Sequence, residues 1–206
     1  MTLPLRFGLF PYLNVQPLVF GLASEPCWEL VVDLPSRIAD RFRNGELDVA
    51  MVPSFDAATI DAIILDSICI ASDGPVESVI LRHRVALDRI ETLAIDEASR
   101  TSAALAKILI HRATGRMPQC TTFSPRDEGV PDADAFVVIG DAAFAVTQEG
   151  FEDLDLGEEW RRQNAIPFVF ALLAARRDAG AGISDQLAQA IQRGLDAVPD
   201  IARSYP

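Results

Sequence analysis

Four stretches of this chain set small polar residues directly after segments that read as β-strands. Asn14 follows the apolar run 5–10 in Pro11-Tyr12-Leu13-Asn14, and Ser54 follows the run 48–52 in Val52-Pro53-Ser54. Ser99-Arg100-Thr101-Ser102 comes after 92–95, and Gly140-Asp141 after the wholly apolar 135–139. In an open parallel sheet the C-terminal ends of the strands share one edge, where ligands bind. Thr101 and Ser102 would add hydroxyls to the free N–H groups of a helix start, a combination suited to a carboxylate. The chemistry expected from this set is the binding and orientation of a small anion. Each residue also has a plainer reading. Ser99 or Ser102 would serve equally as a helix cap, Asn14 as a turn residue, and Arg100 as a structural ion-pair partner of Asp141. Asp73 reads as a turn initiator, and Glu158-Glu159-Trp160-Arg161-Arg162 as a solvated helix face with i,i+3 pairs.

Harsher chemistries lack their residues. There is no Gly-x-Ser-x-Gly elbow, no Walker loop and no Gly-x-Gly-x-x-Gly. The two histidines, His83 and His111, read as surface residues, and neither has a second histidine or a cysteine at ligand spacing. No metal site is therefore expected. Cys27, Cys69 and Cys120 are too far apart for a disulfide framework or a metal set, and buried free thiols of a reducing compartment are expected. An enzyme built from these residues would use neither a metal, nor a cofactor, nor a strong nucleophile.

The elements that must position these groups alternate. Strands are expected at 5–10, 28–33 and 48–52, with helices at 15–22 and 37–43 between them, the second capped by Ser36. Extended segments follow at 68–71 and 76–82, joined by the turn Asp73-Gly74-Pro75. Then come a strand at 92–95, a helix at 99–113 ending near Gly115, the buried strand 135–139, a polar helix at 157–163, a strand at 168–174 and an amphipathic helix at 183–198. Strands separated by helices predict βαβ units and a mainly parallel, mixed sheet. Chain crossings near Arg82–Asp88 and near Ile166-Pro167 would divide the α/β chain into two lobes with a ligand cleft between them. The first lobe would take 1–84 and 168–206, and the second 85–167.

Composition narrows the partners. Half of the 206 residues are apolar and 23% are charged, as in globular proteins. The formal net charge of -12 argues against nucleic acid and against an anionic membrane surface, both of which attract basic patches. It leaves room for a small anion held by helix N-termini and an arginine. No apolar run reaches the roughly 18 residues of a membrane span, and the start has no basic region followed by an apolar stretch. A cytoplasmic protein with a small-molecule partner is expected, its oligomeric state open.

Seven motifs occur in a familiar order. They are Tyr12-Leu13-Asn14, Asp33-Leu34-Pro35-Ser36-Arg37, Gly45-Glu46-Leu47-Asp48-Val49, Ala71-Ser72-Asp73-Gly74-Pro75-Val76-Glu77-Ser78-Val79, Ser99-Arg100-Thr101-Ser102, Ile139-Gly140-Asp141-Ala142-Ala143 and Pro167-Phe168-Val169-Phe170-Ala171. The series resembles the chorismate dehydratases of the futalosine route to menaquinone, over roughly Phe7 to Arg177. That resemblance implies a periplasmic-binding-protein-like type II fold used in the cytoplasm. It implies loss of water from chorismate to give 3-[(1-carboxyvinyl)oxy]benzoate. By motif position Asn14 and Ser78 match the family's active-site asparagine and serine, and Thr101 and Ser102 match its carboxylate-holding turn. Members of the family usually continue several tens of residues beyond the point matching Tyr205-Pro206, so fewer first-lobe helices are expected here.

The implied chemistry suits the residue set. Losing the C4 hydroxyl and the C3 proton makes the chorismate ring aromatic. The C3 proton is vinylogous to the ring carboxylate, so donors on that carboxylate would stabilise the charge spreading into it. No Glu, Lys or His is an obvious base, and the substrate's own enolpyruvyl carboxylate would serve if its rotamer were fixed. Asn14 and Ser78 would orient that side chain and assist the departing hydroxyl. Two alternatives stay open: the related dihydroxynaphthoate synthase, which relies on a histidine base, and a solute-binding protein or cytoplasmic sensor of small carboxylates.

Overall fold

In the computed structural model, which describes residues 4–23, 25–125, 129–145, 149–179 and 183–205 except the side chains of Asp66 and Ser67, the chain opens with β1 (Leu5–Leu9). A 3-10 turn (Leu13–Val15) leads into α1 (Gln16–Leu22), whose Pro17 sits in the first turn, where a missing N–H is harmless. Then come β2 (Trp28–Val32), α2 (Pro35–Arg43), β3 (Val49–Pro53), the single turn α3 (Ser54–Ala57) and β4 (Ile63–Ser72). β5 (Val79–His83), β6 (Thr92–Asp96), α4 (Arg100–Thr114), β7 (Gln119–Phe123) and β8 (Ala135–Ile139) follow. The chain ends with α5 (Ala142–Ala145), β9 (Glu152–Asp155), α6 (Leu156–Asn164), β10 (Phe168–Ala175), α7 (Ile183–Asp196) and α8 (Val198–Ser204).

These elements form two units, Met1–Cys69 with Ala171–Pro206 and Ile70–Phe170. The chain passes between them within β4 and within β10. The first sheet has the order β2-β1-β3-β10-β4 and the second β7-β6-β8-β5-β9. In the first, β1 runs parallel to β2 and β3, while β10 is antiparallel to β3. In the second, β6 is parallel to β7 and β8, and β5 is antiparallel to β8 and β9. The first crossing therefore falls earlier than the expected 82–88. The reason is β5, which pairs Val79 with Ile139 and Ile80 with Asp155 and so belongs to the second sheet.

All five residues of β3 and all five of β8 are buried, which their continuous apolar runs foreshadow. β7 and β9 carry no such signal. Four of five β7 residues are exposed, and β9 reads Glu-Asp-Leu-Asp. Both are edge strands, recruited by pairing rather than by a buried face. Two smaller expectations are corrected. α2 begins at Pro35 with Leu34 at its cap position, and Ser36 lies buried inside the first turn, because proline is preorganised for the first helical position. The three cysteines are exposed rather than buried. Cys69 and Cys120 lie on the edge strands β4 and β7, and Cys27 precedes β2.

At the start of β8, Asp134 ties the second sheet together. One of its oxygens accepts from the Thr92 amide at 2.9 Å, the Thr92 hydroxyl at 2.9 Å and the Glu91 amide at 3.1 Å. Burial works to raise the pKa of this carboxyl, but the Thr92 and Glu91 donors and the Arg84 guanidinium outweigh it and hold it below the ordinary 3.8. A carboxylate with a depressed folded-state pKa stabilises above its unfolded pKa, and the contribution vanishes as pH falls through the folded value. Asp134→Asn is therefore expected to lower the urea midpoint at neutral pH. That gap should close as the pH is taken below about 3.8, which a series of urea titrations in acid would read.

Candidate functional site

In the first unit, β1 and β3 are parallel neighbours, so their C-terminal ends share an edge. Asn14 sits in the 3-10 turn after β1, is exposed, and makes no side-chain hydrogen bond to a described residue. The turn carrying it is pinned at its base. Val15 N–H donates to the Tyr12 carbonyl at 3.0 Å, and the Tyr205 hydroxyl donates to the Pro11 carbonyl at 3.2 Å. The rings of Phe10 and Tyr12 meet edge-on at 6.4 Å. Ser54, half-buried, opens α3 directly after Pro53, which pairs with Ala171 of β10. Exposed Leu13 and Phe55 flank the two polar residues with apolar surface. An asparagine amide free of partners among the described residues, beside apolar side chains, suits a ligand with both ring and polar parts.

The second unit gathers more. β6 and β8 are parallel and β5 runs against β8, so the ends of β6 and β8 and the start of β5 meet at one edge. Gly140 follows β8 with φ 62, left-handed backbone that glycine adopts without strain. Its N–H donates to the Ser78 carbonyl at 2.8 Å, which places Ser78 beside Gly140. Asp141 is exposed at the next position. After β6, buried Asp96 accepts from the Ala98 amide at 2.9 Å and from Ile139 N–H at 3.4 Å, binding the turn before α4 to the end of β8. That turn delivers Ser99 to the cap position of α4, with Thr101 and Ser102 buried in the first turn.

Ser99, for which capping is the plainer of two readings, does not cap the helix. Its side chain makes no capping hydrogen bond, and its hydroxyl is buried with no hydrogen-bond partner among the described residues. A buried hydroxyl left unsatisfied costs about 1–3 kcal/mol, a deficit that an anion at the helix start would relieve. The start of a helix of 15 residues also carries the positive end of the helix dipole. The arrangement can hold a carboxylate at α4 and present the Ser78 hydroxyl at the neighbouring strand end.

Ser78 itself is reached through an unusual turn. Its N–H donates to the Val76 carbonyl at 2.7 Å, and the intervening Glu77 has φ 59, the pattern of a classic-hand γ-turn. The Ser78 hydroxyl, half-buried, makes only a long 3.3 Å hydrogen bond to the same carbonyl. The carboxylate of Asp155, at the N-cap of α6, accepts four amides. Gly157 and Glu158 donate to Oδ1 at 2.9 and 3.0 Å, and Val76 and Glu77 to Oδ2 at 2.8 and 2.7 Å. Asp73, read as a turn initiator, pairs with Arg161 at 2.7 Å.

The two histidines singled out in the sequence lie apart from these edges. His83 hydrogen-bonds the Val85 carbonyl through Nδ1 at 2.9 Å, and His111 is exposed in the last turn of α4. The α6 charge run is less solvated than its composition suggests. Glu159 is buried, and its hydrogen bonds from Arg162 and Gln163 hold its carboxyl below the ordinary value despite the opposing effect of burial. Trp160 packs on Phe168 at 5.1 Å, with the Arg112 guanidinium 5.6 Å from its ring. An open depression of about 500 Å³ in the first unit is lined by Arg43, Asp61, Arg176, Arg177 and Asp178, none of them a strand-end residue named above. Among the described residues no group of three or more His, Cys, Asp or Glu could hold a metal ion. No helix among them is long and apolar enough to cross a membrane. Sequence reasoning missed Asp96 and Asp155 as supports of the edge. Asp155 does carry a local signal, an aspartate just before a helix, but its reach to Val76 has none.

Two α/β units, each on a mixed five-stranded sheet with polar residues at the strand ends, define the periplasmic solute-binding type II fold. The structure resembles protein AF1704 from Archaeoglobus fulgidus with a TM-score of 0.76 at 16% identity, covering 98% of this chain and 83% of that one. It resembles the periplasmic aliphatic sulphonate binding protein SsuA from Escherichia coli with a TM-score of 0.65 at 16% identity, covering 99% and 77%. Residues 5–205 match the family described as menaquinone biosynthesis, and the chain belongs to that family. A chorismate dehydratase from Thermus thermophilus is 28% identical over 222 residues, covering 98% of this chain and 81% of the relative.

Proposed function

We propose that this chain is a cytoplasmic hydro-lyase that dehydrates chorismate to 3-[(1-carboxyvinyl)oxy]benzoate in the futalosine route to menaquinone. The observation that carries this reading is the edge of the second sheet. There the Ser78 carbonyl accepts from Gly140, and the neighbouring start of α4 holds a buried Ser99 hydroxyl with no hydrogen-bond partner among the described residues. The 28% identical relative named chorismate dehydratase supports the choice of substrate.

The ring carboxylate is assigned to the α4 start, with Ser99, Thr101 and Ser102 as its donors. As the C3–H bond breaks, the electron pair moves through the ring diene toward that carboxylate, and fixed donors stabilise the spreading charge. The C4 oxygen leaves with a proton as water, and the ring becomes aromatic. The proton acceptor is the substrate's enolpyruvyl carboxylate, so the protein's task is to hold one rotamer of that group. Asn14 and Ser78 take this role and hydrogen-bond the departing hydroxyl. Ser54, Gly140 and Asp141 complete the substrate contacts.

The test is to incubate the purified protein with chorismate and separate the products by chromatography with mass detection. A product lighter by one water, with the enolpyruvyl group intact, is expected. Chorismate bound but unchanged would replace this reading with a sensor of small carboxylates, and absence of binding would remove chorismate as the ligand.

A further inference from the structure

We propose that Asp155 is a positioning residue for turnover, and that its second carboxylate oxygen tethers the γ-turn that aims the Ser78 hydroxyl. The inference rests on the dehydratase reading, in which Ser78 touches the substrate. Capping α6 requires only one acceptor oxygen, a task that serine, threonine or asparagine performs about as well. Oδ1 does this alone, through Gly157 and Glu158. Oδ2 is spent on Val76 and Glu77, 79 and 78 residues away in the chain. An ionised carboxylate is the side chain that offers lone pairs for four donors on two oxygens without presenting a donor of its own.

What the tether holds is a strained conformation. Glu77 is a non-glycine residue with φ 59, a state that persists only where its surroundings over-determine it, and such states cluster at functional sites. Ser78 follows directly. Its amide is fixed by Val76 and its carbonyl by Gly140, so the orientation of the Glu77 turn decides where its hydroxyl points. The first turn of α6 is also pressed against the same loop. A Cβ on Gly157 would stand 2.5 Å from the Ser72 hydroxyl and 2.8 Å from the Gly74 carbonyl. The α6 start, Asp155 and the loop before Ser78 thus behave as one rigid piece, with the carboxylate as its clamp.

The experiment compares Asp155→Ser, which keeps a capping oxygen for α6 but cannot also reach Val76 and Glu77, in wild-type and Ser78→Ala backgrounds. Asp155→Asn, which presents an N–H where an acceptor is needed, serves as a second variant should the first fold poorly. With Ser78 present, kcat for chorismate is expected to fall roughly tenfold or more while KM changes much less, since the loss is one of aim. With Ser78 already removed, the same substitution should change kcat less than about twofold. Equal losses in both backgrounds would mean that Asp155 only supports the fold, and would overturn the proposal. Amide exchange reads the tether apart from catalysis: Val76 and Glu77 should exchange at least about tenfold faster in Asp155→Ser. Unchanged exchange there would also overturn it. A wild-type chain that leaves chorismate intact would sink the dehydratase reading instead, and the exchange rates would still decide whether the clamp exists.

Discussion

Asn14→Ala and Ser78→Ala, made singly, are each expected to cut chorismate turnover by about a hundredfold or more, with chorismate still bound. The magnitude follows from their assigned task. A misplacement of about 1 Å in a reacting group costs on the order of a hundredfold, and each residue is assigned to hold the enolpyruvyl carboxylate near C3 and the departing hydroxyl near a donor. The ring carboxylate is assigned elsewhere, to the start of α4, so affinity should survive. Asn14 is exposed and Ser78 half-buried, and the Ser78 hydroxyl holds only a 3.3 Å bond of its own. Truncation should therefore cost little stability, and unchanged urea midpoints would show that the loss is chemical. Steady-state kinetics with product detection reads the effect. Full turnover in both variants would sink the role assignment while leaving dehydration itself untouched.

Gly194→Ala should be the most damaging small substitution for the first unit, with Gly21→Ala close behind. The two residues lie on α7 and α1, and each takes the backbone of the other helix at a distance no side chain tolerates. A Cβ on Gly194 would overlap the Pro17 carbonyl, and one on Gly21 would overlap the Ala190 carbonyl. Helix propensity alone favours alanine over glycine by about 1 kcal/mol. Overpacking against main chain, which has no rotamer to yield, costs about 3 kcal/mol or more, so the contact wins by about 2 kcal/mol. For a chain of this size that corresponds to a Tm lower by roughly 4–8 °C. The pair is further tied by Arg193, which donates to the Gly21 carbonyl at 3.0 Å and pairs with Glu25 at 2.6 Å. A thermal midpoint equal to or above that of the wild type would show that the helices can separate freely.

Residues with local signals were the legible ones. The apolar runs at β3 and β8 announce fully buried strands, since nothing in them could face water. Ser99 before an apolar-periodic run announces the start of α4, although its hydroxyl does not cap. The Asn14 and Ser54 positions follow from proline-stopped strands, a pattern confined to a few residues. Burial of the cysteines was misjudged because residue type says little about which strand of a sheet lies at its edge.

By itself the sequence determined the order of most helices and strands, the family to which the chain belongs, and the polar residues that end the strands. Each of these depends on windows of a few residues: a period of burial, a turn, a motif. Only the tertiary structure decided that β5 joins the second sheet, that polar β7 and β9 become its edges, and that Asp155 clamps the turn before Ser78. The sheet pairings turn on backbone amides and carbonyls, which every residue carries alike, and the clamp turns on which distant amides meet the Asp155 carboxylate. Their pairing is chosen by which segments the packed core brings together, and side-chain identity leaves no mark of that choice in the chain.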